Sequence, residues 1–172
     1  MPNIEIKARY PDLEKARGIA LGLKAQWVGH DRQVDTFFKV PKGRLKLRES
    51  SLKGAQLIPY LRPNVRGPKT SQYVVIPIPE AAKTKLLLRK TLGLEGVVEK
   101  NRELYLSGNV RIHLDRVKGL GNFLEFEAVI VKDTASIRKA ETKKVKKLLK
   151  VFQVEPKDLL ENSYRDLLKK KR

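Results

Sequence analysis

Cysteine is absent from the 172 residues, which removes disulfides, thiolate metal centres and cysteine nucleophiles together. There are only two histidines, His30 and His113, and their placement gives no support to a Ser-His-Asp triad. Aromatic residues make up 6% of the chain and are not interleaved with the basic ones, so the stacking platforms of single-strand nucleic-acid binders are lacking. No apolar run approaches the ~20 residues of a membrane-spanning helix. The N-terminus carries no basic-then-apolar leader, so a cytoplasmic protein is expected. Acidic residues are scarce: 19 Asp+Glu stand against 38 Lys+Arg, a formal net charge of +19. With 41% hydrophobic residues, the chain is long enough for one domain, 1–172, with a real core.

A charge excess of this size attracts polyanions, whether nucleic acid, anionic membrane or phosphorylated small molecules. Residues 138–172 hold 13 Lys+Arg against 5 Asp+Glu. The rest of the excess falls in segments with strand periodicity. Eight are expected: 3–10, 32–40, 43–50, 55–63, 71–79, 96–106, 109–117 and 121–131. Turn chemistry at Pro41-Lys42-Gly43, Gly67-Pro68, Ser107-Gly108-Asn109 and Gly119-Leu120-Gly121 joins them. Short connections make antiparallel hairpins. Helices are expected after Asp12, from Glu80 to Leu92 with a stop at Gly93, over 135–152, and from Pro156 onward. The last would bury Leu160, Tyr164, Leu167 and Leu168.

Successive side chains on a strand face opposite ways, and here the two faces differ sharply. Ile4, Ile6 and Ala8 alternate with Glu5, Lys7 and Arg9; Leu45 and Leu47 with Arg44, Lys46 and Arg48. Lys100 and Arg102 share a face, as do Arg111, His113 and Asp115, and Glu125 and Glu127; Arg62 adds another cation. For one strand alone this pattern describes a solvated face. Its repetition in strand after strand, with faces almost wholly ionisable, points instead to an α+β fold: a sheet curled into a barrel with a charged interior and helices outside. Confined cations need an oxygen-rich anion, and Arg suits phosphate through its bidentate fork. Glu5, Asp115, Glu125 and Glu127 fit such a tunnel if they hold a hard divalent cation that bridges to the phosphates. Salt bridging to neighbouring strands is the competing use for Glu125 and Glu127. His113 is expected to hydrogen-bond in the lining, and His30 to sit on the surface.

At these residues the chain resembles the CYTH superfamily, the triphosphate tunnel metalloenzymes. The resemblance is to the branch of class IV adenylate cyclases and thiamine triphosphatases. Asn3-Ile4-Glu5-Ile6-Lys7 is similar to the family's opening Glu-x-Glu-x-Lys strand, with Asn3 in place of the first Glu. "QVDTFFKVPKGRLKLRE" (33–49), "RIHLDRVKGLGNFLEFE" (111–127) and "SYRDLL" (163–168) resemble later family segments in the same order. The resemblance implies an eight-stranded antiparallel tunnel that binds a triphosphate with Mg²⁺ or Mn²⁺. By position it implies Lys7 and Glu5 as catalytic residues and Glu5, Glu125, Glu127 and Asp115 as metal ligands. It implies Arg9, Lys46, Arg48, Arg62, Lys100, Arg102 and Arg111 along the phosphate path.

The expected activity is metal-dependent hydrolysis of tripolyphosphate, thiamine triphosphate or a nucleoside triphosphate, by a monomer or homodimer. One alternative is a class IV adenylate cyclase, which makes cyclic AMP and pyrophosphate from ATP. The other is a non-catalytic protein that binds polyphosphate or nucleic acid through its Lys-rich 138–150 segment. "GLGN" (119–122) and "GPKTS" (67–71) lack the remaining parts of a phosphate loop and read as a turn and a loop. The tail Lys169-Lys170-Lys171-Arg172 is expected to fray outside the site.

Overall fold

The computed structural model describes residues 2–171, and in it the two-faced strands form the staves of a closed barrel. The order is β1 (Pro2–Arg9), α1 (Leu13–Gly22), β2 (Gln26–Phe38), β3 (Arg44–Ser50), β4 (Gly54–Leu61), β5 (Lys69–Tyr73), β6 (Ile76–Pro77) and α2 (Ala81–Leu92). Then come β7 (Leu94–Ser107), β8 (Val110–Val117), β9 (Gly121–Val129), α3 (Ala135–Val151) and α4 (Tyr164–Lys170). The sheet runs β3-β2-β7-β8-β9-β1-β5-β4, and a β3–β4 pairing closes it into eight strands, with β6 hanging on β4 as a ninth. Every described pairing is antiparallel.

Register explains why the faces separate. Ile6 pairs with Phe126, Phe126 with Ile112, and Ile112 with Tyr105, an apolar row on the outside of the barrel. Leu13, Ala16 and Ala20 of α1, Val145 of α3, and Phe152 cover it in one core. Phe126 and Phe152 meet edge-on with centroids 5.0 Å apart. A one-residue slip of β1 would turn Glu5 and Lys7 into this core, so the hydrophobic pattern pins the register. Asp12 caps α1 by accepting from the Lys15 N–H, and Thr134 caps α3 through the Ile137 N–H.

Several boundaries differ from expectation. β2 begins at Gln26 rather than residue 32, because its first turn of chain pairs with the end of β7 across an irregularity between Trp27 and Gly29. The 71–79 segment splits into β5 and β6, with Val74 and Val75 between them outside any strand. The final helix starts at Tyr164, not Pro156. Pro156–Asp158 is a single 3-10 turn, and Leu159 bridges Ala8 while the Leu160 N–H donates to the Lys7 carbonyl. That extended stretch serves β1 before Ser163 and Asp166 close a reciprocal capping box and start α4. The tail is less frayed than expected: Lys169 and Lys170 belong to α4, and Lys171 Nζ donates to the Gly119 carbonyl at 2.9 Å. Arg172 lies outside the described residues.

Candidate functional site

The barrel encloses a cavity of about 270 Å³. At one end the inward positions turn apolar: Phe37, Val98, Val117 and Phe123 pack with Tyr164 of α4 into a second small core. Ser163, Tyr164 and Arg165 line the cavity there, so α4 plugs that end. In all, Arg165 included, nine cationic side chains line the cavity against five carboxylates; from outside the lining Asp115 pairs with Arg102 and Glu95 with Arg165. His113 is held below its ordinary value by burial and by Arg102, which keeps it uncharged at neutral pH.

Two buried hubs organise the charges. On β2, Asp35 accepts from Lys46 at 2.9 Å and from Arg48 Nε and Nη2 at 2.7 and 2.8 Å, with Lys100 Nζ at 3.6 Å. Burial opposes ionisation of Asp35, but these cations win and hold its carboxyl well below the usual range. One carboxylate cannot neutralise three cations. Burial, reinforced by Arg48, brings Lys46 down to about 8; burial, with Arg102 and Arg48 opposing the pull of Asp35, brings Lys100 to about 7. The second hub is Arg102, whose Nε and Nη2 each reach an Asp115 oxygen at 2.6 Å while Nη2 also reaches Glu125 at 2.8 Å. Tyr164 donates its hydroxyl to Asp115 at 2.8 Å. Burial raises the Tyr164 phenol and Asp115 raises it further, so it stays a donor. Lys7 Nζ stands 3.9 Å from the Tyr164 ring centroid and 3.5 Å from Glu125.

Of the remaining lining acids, Asp31 on β2 accepts from Gln33 and Ser50, and the others lie on β1 and β9. Glu5 and Glu127 are cross-strand partners, an arrangement of like charges that is unfavourable without a cation. In this structure Arg62 binds Glu5 at 2.7 Å and Arg111 binds Glu127 at 3.2 Å. Asn3 donates its amide to Glu127, and its Oδ1 is buried with no partner. Arg62 is similarly under-used, with Nε and Nη2 buried and unbonded. An unmet guanidinium donor inside a protein costs roughly 1–3 kcal/mol or more, and an anionic oxygen removes that cost.

The chain matches the CYTH domain model over residues 1–164. It belongs to the CYTH domain family. It is 28% identical over 141 residues to a protein from Aeromonas hydrophila named adenylate cyclase CyaB, covering 77% of this chain and 71% of that one. Its fold is shared by the PH1012 protein of Pyrococcus horikoshii OT3, with TM-score 0.76, 24% identity and coverage of 96% and 98% of the two chains. A Hippeastrum protein, HpAC1, a candidate adenylyl cyclase said to reveal a dominant triphosphatase activity, matches with TM-score 0.65 and 16% identity, over 99% of this chain and 96% of that one.

Ten of the twelve residues expected from the sequence line the CYTH tunnel: Glu5, Lys7, Lys46, Arg48, Arg62 and Lys100, followed by Arg102, Arg111, Glu125 and Glu127. Arg9 and Asp115 do not. Arg9 follows the alternation of Lys7, but the closed end is filled by Phe123 and Tyr164; its guanidinium is left exposed, 5.5 Å from the Phe123 ring. Asp115 is wholly buried beneath Arg102, its oxygens taken by Arg102 and Tyr164. It acts as a buttress there and presents no open ligand. His30 is exposed, with its ring edge-on to Trp27. Asp35 and Tyr164 were missed. The alternation of Asp31, Gln33 and Asp35 on β2 was the available signal for the first. For Tyr164 the helical pattern signalled only core.

The donor set fits a divalent cation shared with a substrate. Among the described residues no group of three His, Asp or Glu side chains converges on one point. Mg²⁺ commonly takes only one or two carboxylates and completes its shell with phosphate oxygens and water. Glu5, Glu127 and the orphaned Asn3 Oδ1 are the groups that could hold it, with Glu125 next on β9. Among the described residues no helix is long and apolar enough to cross a membrane.

Proposed function

We propose that this tunnel binds the triphosphate group of a substrate with a divalent metal and catalyses water attack on its terminal phosphorus. The observation that carries this reading is the excess of positive charge around one cavity: nine cations line it against five carboxylates, and an excess of two remains once Asp115 is set against Arg102 and Glu95 against Arg165, with two Arg62 donors unbonded. A triphosphate ester brings about four negative charges near neutral pH, about two once a divalent cation is bound, which balances that excess. Arg48, Arg102 and Lys100 on one side and Arg62, Arg111 and Lys7 on the other stabilise charge on the phosphoryl oxygens. Asp35 and Asp115 hold the first group in place. Glu5 is freed when Arg62 turns to phosphate, and is the carboxylate suited to orient water. Glu5 and Glu127 would hold the metal, which would supply positive charge against the phosphate oxygens.

A second reading, cyclisation of ATP, is supported equally by the likeness to the Aeromonas hydrophila cyclase. There the ribose 3′ hydroxyl replaces water, the α-phosphorus is attacked and pyrophosphate leaves. One assay separates them: ATP, thiamine triphosphate and tripolyphosphate with Mg²⁺ or Mn²⁺, scored for phosphate, pyrophosphate and cyclic AMP. Phosphate as the main product supports hydrolysis, and cyclic AMP with equal pyrophosphate replaces it with cyclisation. No product from any substrate overturns both.

A further inference from the structure

Two of the eight barrel strands place no Asp, Glu, Lys or Arg in the cavity lining. β4 and β5 turn Gln56, Ile58, Tyr60, Ser71 and Tyr73 inward, and the buried Lys69 of β5 spends its ammonium on the carbonyls of Val65, Leu160 and Glu161, whereas each of the other six contributes at least one charged side chain to the lining. The two strands are adjacent, and Tyr60 and Tyr73 are Cα partners across them. Cross-strand partners hold their Cβ atoms ~5 Å apart, so two phenol rings rise side by side from one patch of wall. Val75 extends the patch beyond β5. Tyr60 and Tyr73 are only partly buried, while Ile58 is 7% exposed. Phosphate oxygens gain nothing from Ile58 or Val75. A flat ring gains apolar contact and stacking there, with Gln56 and Ser71 available at its edge.

An independent feature on β2 agrees. Gln33 is 4% exposed and lines the same cavity. Its amide nitrogen donates to Asp31 at 2.6 Å, but its Oε1 is buried with no donor. A fully ionised phosphate has no hydrogen to offer an acceptor. An N–H or O–H on an organic group does. Gln33 pairs with Ser50, two residues along β3 from Arg48, and Arg48 pairs with Gln56, so the unmet acceptor belongs to the same side of the barrel as the uncharged wall.

We propose that the β4–β5 wall seats a flat heterocycle, so that the substrate is an organic triphosphate ester and not bare tripolyphosphate, with Gln33 and Gln56 contacting the polar edge of the organic group. This rests on the triphosphate reading above. It holds for hydrolysis and cyclisation alike, because only the binding of the organic half is at issue.

Calorimetric titration tests it, with ATP, GTP, thiamine triphosphate and tripolyphosphate titrated into the wild type, Tyr73→Ala, Tyr73→Phe and Gln33→Leu. At least one ester is expected to bind tenfold or more tightly than tripolyphosphate. The ratio of the two affinities should fall about tenfold in Tyr73→Ala, recover in Tyr73→Phe, and fall severalfold in Gln33→Leu. Tripolyphosphate binding as tightly as every ester overturns the inference. So does a Tyr73→Ala variant that weakens ester and tripolyphosphate by the same factor, which marks Tyr73 as structural. If none of the four compounds binds the wild type, the triphosphate reading itself falls, a result distinct from the other two.

Discussion

Replacing Asp115 by Asn removes one charge and almost no volume from a deeply buried ion pair of the barrel. Asp115 is 0% exposed and Arg102 8%, so neither charge is screened by water. Breaking such a pair from one side costs about 3–5 kcal/mol, because the survivor is left buried and under-compensated. Here Arg102 keeps Glu125 at 2.8 Å, which puts the expected loss at the low end, about 3 kcal/mol. For a chain of this size that lowers Tm by roughly 6–12 °C. The pH dependence carries a sign that a packing defect would not. Burial opposes the Asp115 charge, yet Arg102 prevails and holds the group at about 2 instead of 3.8. A depressed carboxyl stabilises the fold above its unfolded pKa and loses that contribution as pH falls through the folded value. The gap between wild type and Asp115→Asn should therefore be full from pH 7 to 5 and shrink by about half near pH 3. Thermal melts followed by circular dichroism across that range measure it. A gap under about 1 kcal/mol at pH 7, or one that stays constant from pH 7 to 3, refutes the hub.

Asn3→Glu adds a carboxylate beside Glu5 and Glu127; it should lower Tm without metal and increase the Tm rise on adding Mn²⁺, with less metal needed for half-maximal activity. An unchanged metal response would place residue 3 beyond the ion's reach. Glu125→Gln should raise the metal requirement or abolish turnover, checked by the same titration. Phe126→Ala opens a void beneath α1 and α3 and should cost about 3–5 kcal/mol in urea unfolding, with tunnel ligands still bound. Lys100 at about 7 and Lys46 at about 8 lose their protons as pH rises, while a bound polyanion favours the protonated forms. Affinity for tripolyphosphate should thus fall roughly tenfold or more between pH 7.5 and 9, read by calorimetry; a flat profile counts against both lysines facing the phosphates.

The barrel was legible because its signal is local: in Ile4-Glu5-Ile6-Lys7 and Leu45-Lys46-Leu47-Arg48 every second residue declares its face. The same alternation collected ten tunnel residues. It failed where a third element decides the outcome. Arg9 keeps the period of Lys7, and only the α4 plug turns it away. Asp115 keeps the period of Arg111 and His113, but Arg102 and Tyr164 cover it. Leu159 and Leu160 have helical spacing with Tyr164, yet β1 claims their backbone first. The wall of β4 and β5 is not legible in the sequence, because a lack of charge in the lining shows only once the other six strands stand around it.

The most direct measurement is a crystal structure of the protein soaked with a non-hydrolysable triphosphate and Mn²⁺ at about 0.15 M salt, near physiological ionic strength. The phosphorus chain is expected inside the barrel, its oxygens within ion-pair distance of Arg48, Arg62 and Lys100, with Arg62 turned away from Glu5. A triphosphate held only by the exposed lysines of α3, with the Arg62–Glu5 and Asp35 pairs undisturbed, would contradict it.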